Sequence, residues 1–282
     1  MCGSNQIDLV RRVTETPLIA ASGFFDVIGA SISVEADSTA TLEVVNRLWQ
    51  PFAVIELARD PIIFSIREQS GRFYLSRDRG PVSHGDIDFV LAELSGQINR
   101  AAIDQCQEFA IHSGVVKGST SAIAFPAESG QGKSTLATAC LRAGFGYVSD
   151  EALCIEDAGT IRPYPKPLAL DRHSLELVLP ERTPTGGETL LTAADFAAGV
   201  VVGSQTLGHL VVLDRSGEPP ELEPLGAGAA VERLLRLSFN HYRRPEAAYR
   251  LAVAAARTAD VWRLRYHDPL VAGRLLFERL GE

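Results

Sequence analysis

The sequence predicts an α/β chain built on mixed α+β sheets, with a small α+β unit over residues 1–104 and a larger unit over 105–282 that carries a phosphate-binding loop. Three observations lead there. The chain has 282 residues, more than one core usually organises. Short apolar runs alternate with stretches of helical periodicity. One glycine-rich loop stands between an apolar run and a helical one. Hydrophobic residues make up 46% of the chain and charged ones 22%, enough apolar material for a core and too little charge for long disorder.

In chain order, "FFDVIGASISVEA" (24–36) alternates as a strand should. In "DSTATLEVVNRLWQ", Asp37 or Ser38 serves as N-cap to a helix with Leu42, Val45 and Leu48 or Trp49 on one face. "FAVIELAR" follows, and "PIIFSIREQSGRFYLSRD" reads as a hairpin around Ser70-Gly71. Ser83 or Asp86 opens a helix through "IDFVLAELSGQINRAAI", striped by Phe89 or Val90, Leu94 and Ile98.

The second unit begins with two strands in "EFAIHSGVVKGSTSAIAFPA", joined at Lys117-Gly118, the second running into the glycine-rich loop. "KSTLATACLRA" is a helix closed by Gly144 in the left-handed conformation, and "FGYVSDEALCIED" returns as a strand. "AGTIRPYPKPLALD" is a turn and a further strand, kept extended and near an edge by its prolines. Residues 179–201 read as a long mobile loop, "LGHLVVLDR" as a buried strand, and "GAGAAVERLLRLSFN" and "PEAAYRLAVAAARTA" as helices, the latter with Pro245 at N1. The strand "VWRLRY" and helix "DPLVAGRLLFERL" complete the pattern.

The formal charge of −8 weighs against a general nucleic-acid binder, which collects a basic face to neutralise phosphates. The cysteines, at 2, 106, 140 and 154, lack metal-type spacing and fit reduced thiols in a cytoplasmic protein. No run reaches the roughly 18 apolar residues of a membrane span. The opening "MCG" is shared with glutamine amidotransferases that use an N-terminal cysteine, but the resemblance ends after those residues.

The loop is Ala127-Glu128-Ser129-Gly130-Gln131-Gly132-Lys133-Ser134-Thr135, a phosphate-binding pattern with alanine in place of its first glycine. That exchange is tolerable where the backbone stays at negative φ. Gly130 and Gly132 let backbone N–H groups turn inward, and the helix beginning near Lys133 points its positive end at the same place. Lys133 would reach the β and γ phosphates of ATP, Ser134 would ligate Mg²⁺, and Thr135 would support the helix start.

Asp150 and Glu151 end the apolar run "YVSDE", where a carboxylate can hold Mg²⁺ and a second can accept the proton of an attacking hydroxyl. Adjacent residues of a strand face opposite ways, so both serve one site only if the chain bends there. The alternative is a solvated acidic turn. His112, at a strand end, is by itself more often structural than functional.

Taken together, His112 with Gly114-Val115, the loop "ESGQGKS" and "GFGYVSDE" resemble the HPr kinase/phosphorylase superfamily, over residues 107 to 270 and most specifically at these motifs. The resemblance implies a P-loop-containing, HPr kinase-like catalytic domain that uses ATP and Mg²⁺. It puts Lys133 and the loop backbone on the ATP phosphates, Ser134 and Asp150 on Mg²⁺, and His112 beside the transferred group. The proton acceptor falls on Glu151, where the family has aspartate, and Asp150 can share or take that role. The family's Glu-Ile-Arg-Gly and Pro-Gly-Arg-Asn segments are missing. In their place "RPYPKPLAL" resembles shorter HPr kinase-like proteins, including those of lasso peptide tailoring, and makes Lys166 a candidate phosphate or substrate contact, with a solvated edge lysine as the alternative.

The expected activity is transfer of the γ-phosphoryl group to a hydroxyl, foremost a serine of a peptide or small protein, with Arg162, Lys166, Arg243 and Arg244 as a local basic rim for that partner. The alternatives are a kinase for a small-molecule alcohol, or an ATP-binding switch with weak ATPase activity. Neither a membrane nor a nucleic acid is an expected partner. Homo-oligomers occur in the family, but the missing segments leave that property open here.

Overall fold

The computed structural model describes residues 22–157, 159–184 and 187–282. The "MCG" opening with Cys2 therefore lies outside the described residues. By internal contacts the chain divides into two compact units. One holds the residues up to Gln105 with Thr183–Leu190; the other holds Cys106–Arg182 and Leu191–Glu282.

The first unit is a five-stranded sheet in the order β1 (Ser22–Val27), β2 (Ala30–Ala36), β3 (Ile62–Gln69), β4 (Arg72–Arg77), β5 (Gly80–Gly85). Its helices are α1 (Thr39–Leu48) and α2 (Ile87–Gln105). The run 24–36, expected as one strand, is an antiparallel hairpin. Ile28 (φ 46°) and Gly29 (φ 97°) turn the chain, and Asp26 Oδ1 accepts the Gly29 N–H at 3.0 Å. Ser38 caps α1. The Ser70-Gly71 hairpin forms with both residues at positive φ. Asp86, not Ser83, opens α2, because Ser83 belongs to β5 while Asp86 Oδ1 accepts the Phe89 N–H at 2.8 Å. Val90, Leu94 and Ile98 are buried, and Phe89 faces outward.

The second unit is an eight-stranded mixed sheet. Its strands are β6 (Phe109–Lys117), β7 (Ala122–Pro126), β8 (Gly146–Ser149), β9 (Ala152–Asp157), β10 (Thr160–Arg162), β13 (Gln205–Asp214), β14 (Glu221–Pro224) and β15 (Asp260–Arg265). Two short strands, β11 (Leu168–Leu170) and β12 (Thr189–Leu191), lie outside it. The order is β10-β9-β6-β7-β13-β15-β14, with β8 pairing the far half of β6 beside β9. The helices are α3 (Lys133–Ala143), α4 (Arg172–Val178), α5 (Ala227–Arg236), α6 (Pro245–Thr258) and α7 (Pro269–Leu280).

Both faces of this sheet are buried, which is why its central strands read as unbroken apolar runs. Along β7, Ile123 and Phe125 join a core with Leu136 and Cys140 of α3 and Leu276 of α7. The intervening Ala122 and Ala124 face a second core with Leu234 of α5 and Ala252 of α6. Where α3 meets α7, only glycine fits at 273: a Cβ there would stand 2.9 Å from the Ala139 carbonyl.

Strands β7, β13 and β15 are parallel, and β8 and β9 run the same way because each is antiparallel to β6. Their carboxyl ends therefore share one edge of the sheet, the edge where open α/β sheets bind ligands. The segment 179–201 is not featureless. Besides β12 it holds a turn at Ala193–Phe196, with Thr192 and Asp195 forming a capping box. No described helix is long and apolar enough to cross a membrane. The described cysteines, Cys106, Cys140 and Cys154, are free and buried.

Candidate functional site

The loop after β7 takes the conformation its glycines predict. Gly130 and Gly132 sit at φ 77° and 81°, and α3 starts at Lys133 directly after Gly132. Ala127 is fully buried and keeps a negative φ, so the alanine costs the loop no strain. Lys133 is 5% exposed and donates to the Glu128 carbonyl at 2.8 Å, which arches the ammonium back over the loop. Glu128's carboxylate pairs with Arg236 of α5. Thr135 anchors the helix start through a 3.0 Å bond between its hydroxyl and that of Ser174 on α4. Ser129 and Gln131 complete the turn.

The acidic pair lies where the single expected strand breaks into β8 and β9. The break has a local cause. The Ser149 hydroxyl accepts the N–H groups of Glu151 at 3.2 Å and Ala152 at 3.1 Å, replacing ladder bonds with a turn. The Ser113 N–H then bonds the Glu151 carbonyl at 3.0 Å and holds the bend against β6. Both carboxylates come within electrostatic range of Lys133.

The two carboxylates have different surroundings. Asp150 is 4% exposed; the Ser134 hydroxyl beside it favours its charged form, and among the described residues its Oδ1 has no hydrogen-bond partner. Burial pushes its pKa up to about 6, against the pull of Lys166, the Ser134 bond and Lys133. Glu151 is more open. Its Oε1 lies 3.8 Å from His112 Nε2 and its Oε2 3.9 Å from Lys166 Nζ. The bend is no solvated acidic turn.

His112 is positioned by backbone bonds on both sides: its N–H to the Leu237 carbonyl at 2.9 Å, and its carbonyl from the Ala127 N–H at 3.3 Å. Its ring packs against Phe239 at 5.4 Å between centroids. Burial, with the Lys133 and Lys166 charges, lowers its pKa despite Glu151, so the imidazole is neutral at pH 7. The neutral ring supplies no positive charge. Lys133 is likewise lowered by burial, with Asp150, Glu151 and Glu128 opposing.

Lys166 is not an edge lysine in water. It is 5% exposed, donates to the Pro167 carbonyl at 3.1 Å, and is held by the Tyr147 hydroxyl, which donates to its own carbonyl at 2.6 Å. The expected basic rim is divided. Lys166 is turned to Glu151, whereas Arg162 pairs at 2.9 Å with Glu108, which with Glu156, Arg243 and Arg244 lines a cavity of about 270 Å³.

Magnesium fits the donors present. A buried Asp150 oxygen without a partner, beside a hydroxyl, leaves room for an ion that takes one or two carboxylates, phosphate oxygens and water. Among the described residues no cluster of three or more His, Cys, Asp or Glu forms a protein-only cage. Sequence reasoning missed Ser149, whose role shows only in the bend it makes, and Arg215 and Arg233, which approach the loop from distant segments.

No family model matches the chain, and no curated protein matches it. Among solved structures it is similar to a chain described as the Hpr(Ser) kinase/phosphatase from Coxiella burnetii. The likeness covers 61% of this chain and 96% of that one, at 11% sequence identity and a TM-score of 0.30.

Proposed function

We propose that the protein is an ATP- and Mg²⁺-dependent kinase that transfers the γ-phosphoryl group to a hydroxyl, a serine of a peptide or small protein by the motif resemblance. The observation that carries this reading is the division of labour at the bend: Asp150 buried with an orphaned oxygen beside Ser134, Glu151 open beside His112 and Lys166, and Lys133 between them and the loop.

Residues 128–135 would hold the phosphates by backbone N–H groups and the helix N-terminus. Asp150 and Ser134 would hold Mg²⁺, which supplies charge neutralisation on the phosphates when bound. Glu151 accepts the proton of the acceptor hydroxyl as the new P–O bond forms and the bond to the ADP oxygen breaks. Lys133 offsets the charge that develops on the departing phosphate oxygens. His112, 3.8 Å from one Glu151 oxygen, would orient the carboxylate toward the acceptor, and Lys166, 3.9 Å from the other, would hold it at the site.

Incubation with γ-labelled ATP, Mg²⁺ and a peptide library or lysate tests this. The expected result is label on a polypeptide, lost in Lys133→Ala and Glu151→Gln. Release of free phosphate alone, unchanged in Glu151→Gln, would instead mark a nucleotide-operated switch.

A further inference from the structure

Beside the loop, on the flank away from His112 and the acidic bend, lies a cavity of about 660 Å³. The strand order sets this arrangement: β6, which carries His112, borders β7 on one side, and β13 borders it on the other. The walls are Gly130 and Gln131 of the loop, Asp214 and Arg215 where β13 ends, Arg263 of β15 and Arg233 of α5.

These arginines have carboxylates near them but keep donors to spare. Among the described residues Nη1 of Arg233 is buried without a hydrogen-bond partner, and burial and the Arg236 guanidinium oppose its charge while Glu232 and Glu128 favour it. Arg215 has Nη1 only 3.6 Å from where a Cβ on Gly132 would stand, so it reaches over the loop itself. Arg263 has two acidic neighbours, Glu223 at 4.0 Å and Asp214. Asp214 is engaged by the hydroxyl and N–H of Ser216. A guanidinium nitrogen buried without an acceptor favours an anion, and guanidinium planes also stack on flat aromatic rings.

We infer that this cavity receives the α-phosphate and nucleoside end of the nucleotide, with Arg215 and Arg233 as its binding residues. The inference rests on the kinase reading above. With the γ-phosphoryl group directed to Asp150 and Glu151 on the β6 flank, a nucleotide lying across the loop carries its other end to the β13 flank. The volume lies within the range of small-ligand pockets.

The test is calorimetric titration of the full chain, with Mg²⁺, using ATP and inorganic pyrophosphate as probes. Pyrophosphate can occupy the loop but has no nucleoside to place in the cavity. Wild type should bind ATP more tightly than pyrophosphate. Arg233→Ala should weaken ATP by about tenfold, the scale of a lost charge-assisted contact, and leave pyrophosphate within about twofold; Arg215→Ala, which also removes a guanidinium reaching over the loop, should weaken ATP by at least as much and pyrophosphate by less than ATP. Arg233→Gln, which keeps most of the side-chain volume, should reproduce the loss and guards against a folding defect. Lys133→Ala should weaken both probes. Unchanged ATP affinity in the arginine variants, or an equal fall for both probes, overturns the inference while leaving the loop as a phosphate site. Failure of wild type to bind either probe overturns the kinase reading and the inference with it.

Discussion

The two flanks of the glycine-rich loop differ in make-up: one sets carboxylates against lysines, the other gathers arginines. On the β6 side, Asp150 and Glu151 face cations that already answer them, Lys133 and Lys166, and one carboxylate oxygen stays orphaned. On the β13 side, Arg215 and Arg233 overlook a cavity, and among the described residues Nη1 of Arg233 has no hydrogen-bond partner. The first arrangement suits chemistry, where a proton and a metal must be placed. The second suits binding, where a preformed positive wall awaits an anion. The difference teaches that one loop can be read as two half-sites, and that substitutions should separate them.

Lys133→Ala should have the largest effect because it removes the cation shared by both halves. Transfer is expected to fall by about 10²–10³-fold, the cost of losing one donor aimed at developing charge, and ATP affinity should fall with it. A loss of transfer with ATP affinity intact would confine Lys133 to the acidic half.

Asp150→Asn should abolish the Mg²⁺ dependence of ATP binding, and its effect on stability should have the opposite sign. Burial raises the Asp150 pKa from 3.8 to about 6, so the folded state binds the proton more tightly than the unfolded chain. That contribution to stability is fully present below pH 4 and lost as pH rises through 6. In metal-free protein at pH 8 the asparagine variant should therefore be the more stable by about 3 kcal/mol, with the gap closing below pH 4. Denaturant melts in chelator at the two pH values check this. A variant less stable at pH 8 would mean that the carboxylate is a structural anchor.

His112→Asn should slow transfer by about tenfold without moving ATP affinity, if the neutral ring, 3.8 Å from the Glu151 carboxylate, serves to orient it. Gly273→Ala should touch neither flank. Its Cβ would collide with the Ala139 carbonyl in the α3–α7 contact, costing about 1–3 kcal/mol of stability while ATP affinity per folded molecule stays the same. A change in affinity would show that the helix behind the loop tunes the loop.

Much of the acidic half was legible in the sequence, because its residues lie on two short segments with their own local rules. Glycines at 130 and 132 announce a turn before a helix, and "YVSDE" announces carboxylates at a strand end. What the alternation of "FGYVSDEALCIED" hides is the break, since a serine hydroxyl competing for backbone N–H groups leaves no periodic trace. The same blindness joined β1 and β2 into one strand across Ile28-Gly29 and passed over β5, whose "GPVSHG" has no apolar alternation. The basic half was illegible for a different reason. Arg215, Arg233 and Arg263 are scattered over three elements and converge only through the order of strands β7, β13 and β15 with α5 above them.

Glu151 is the residue of the acidic flank assigned to transfer and not to holding the nucleotide, and Glu151→Gln checks this when ATP affinity and the single-turnover rate of γ-label transfer are measured on the same preparation. The expected result is an ATP Kd within about threefold of wild type and a transfer rate lower by about 10²–10⁴-fold. A transfer rate that survives the substitution, or a rate and an affinity that fall together, would contradict it.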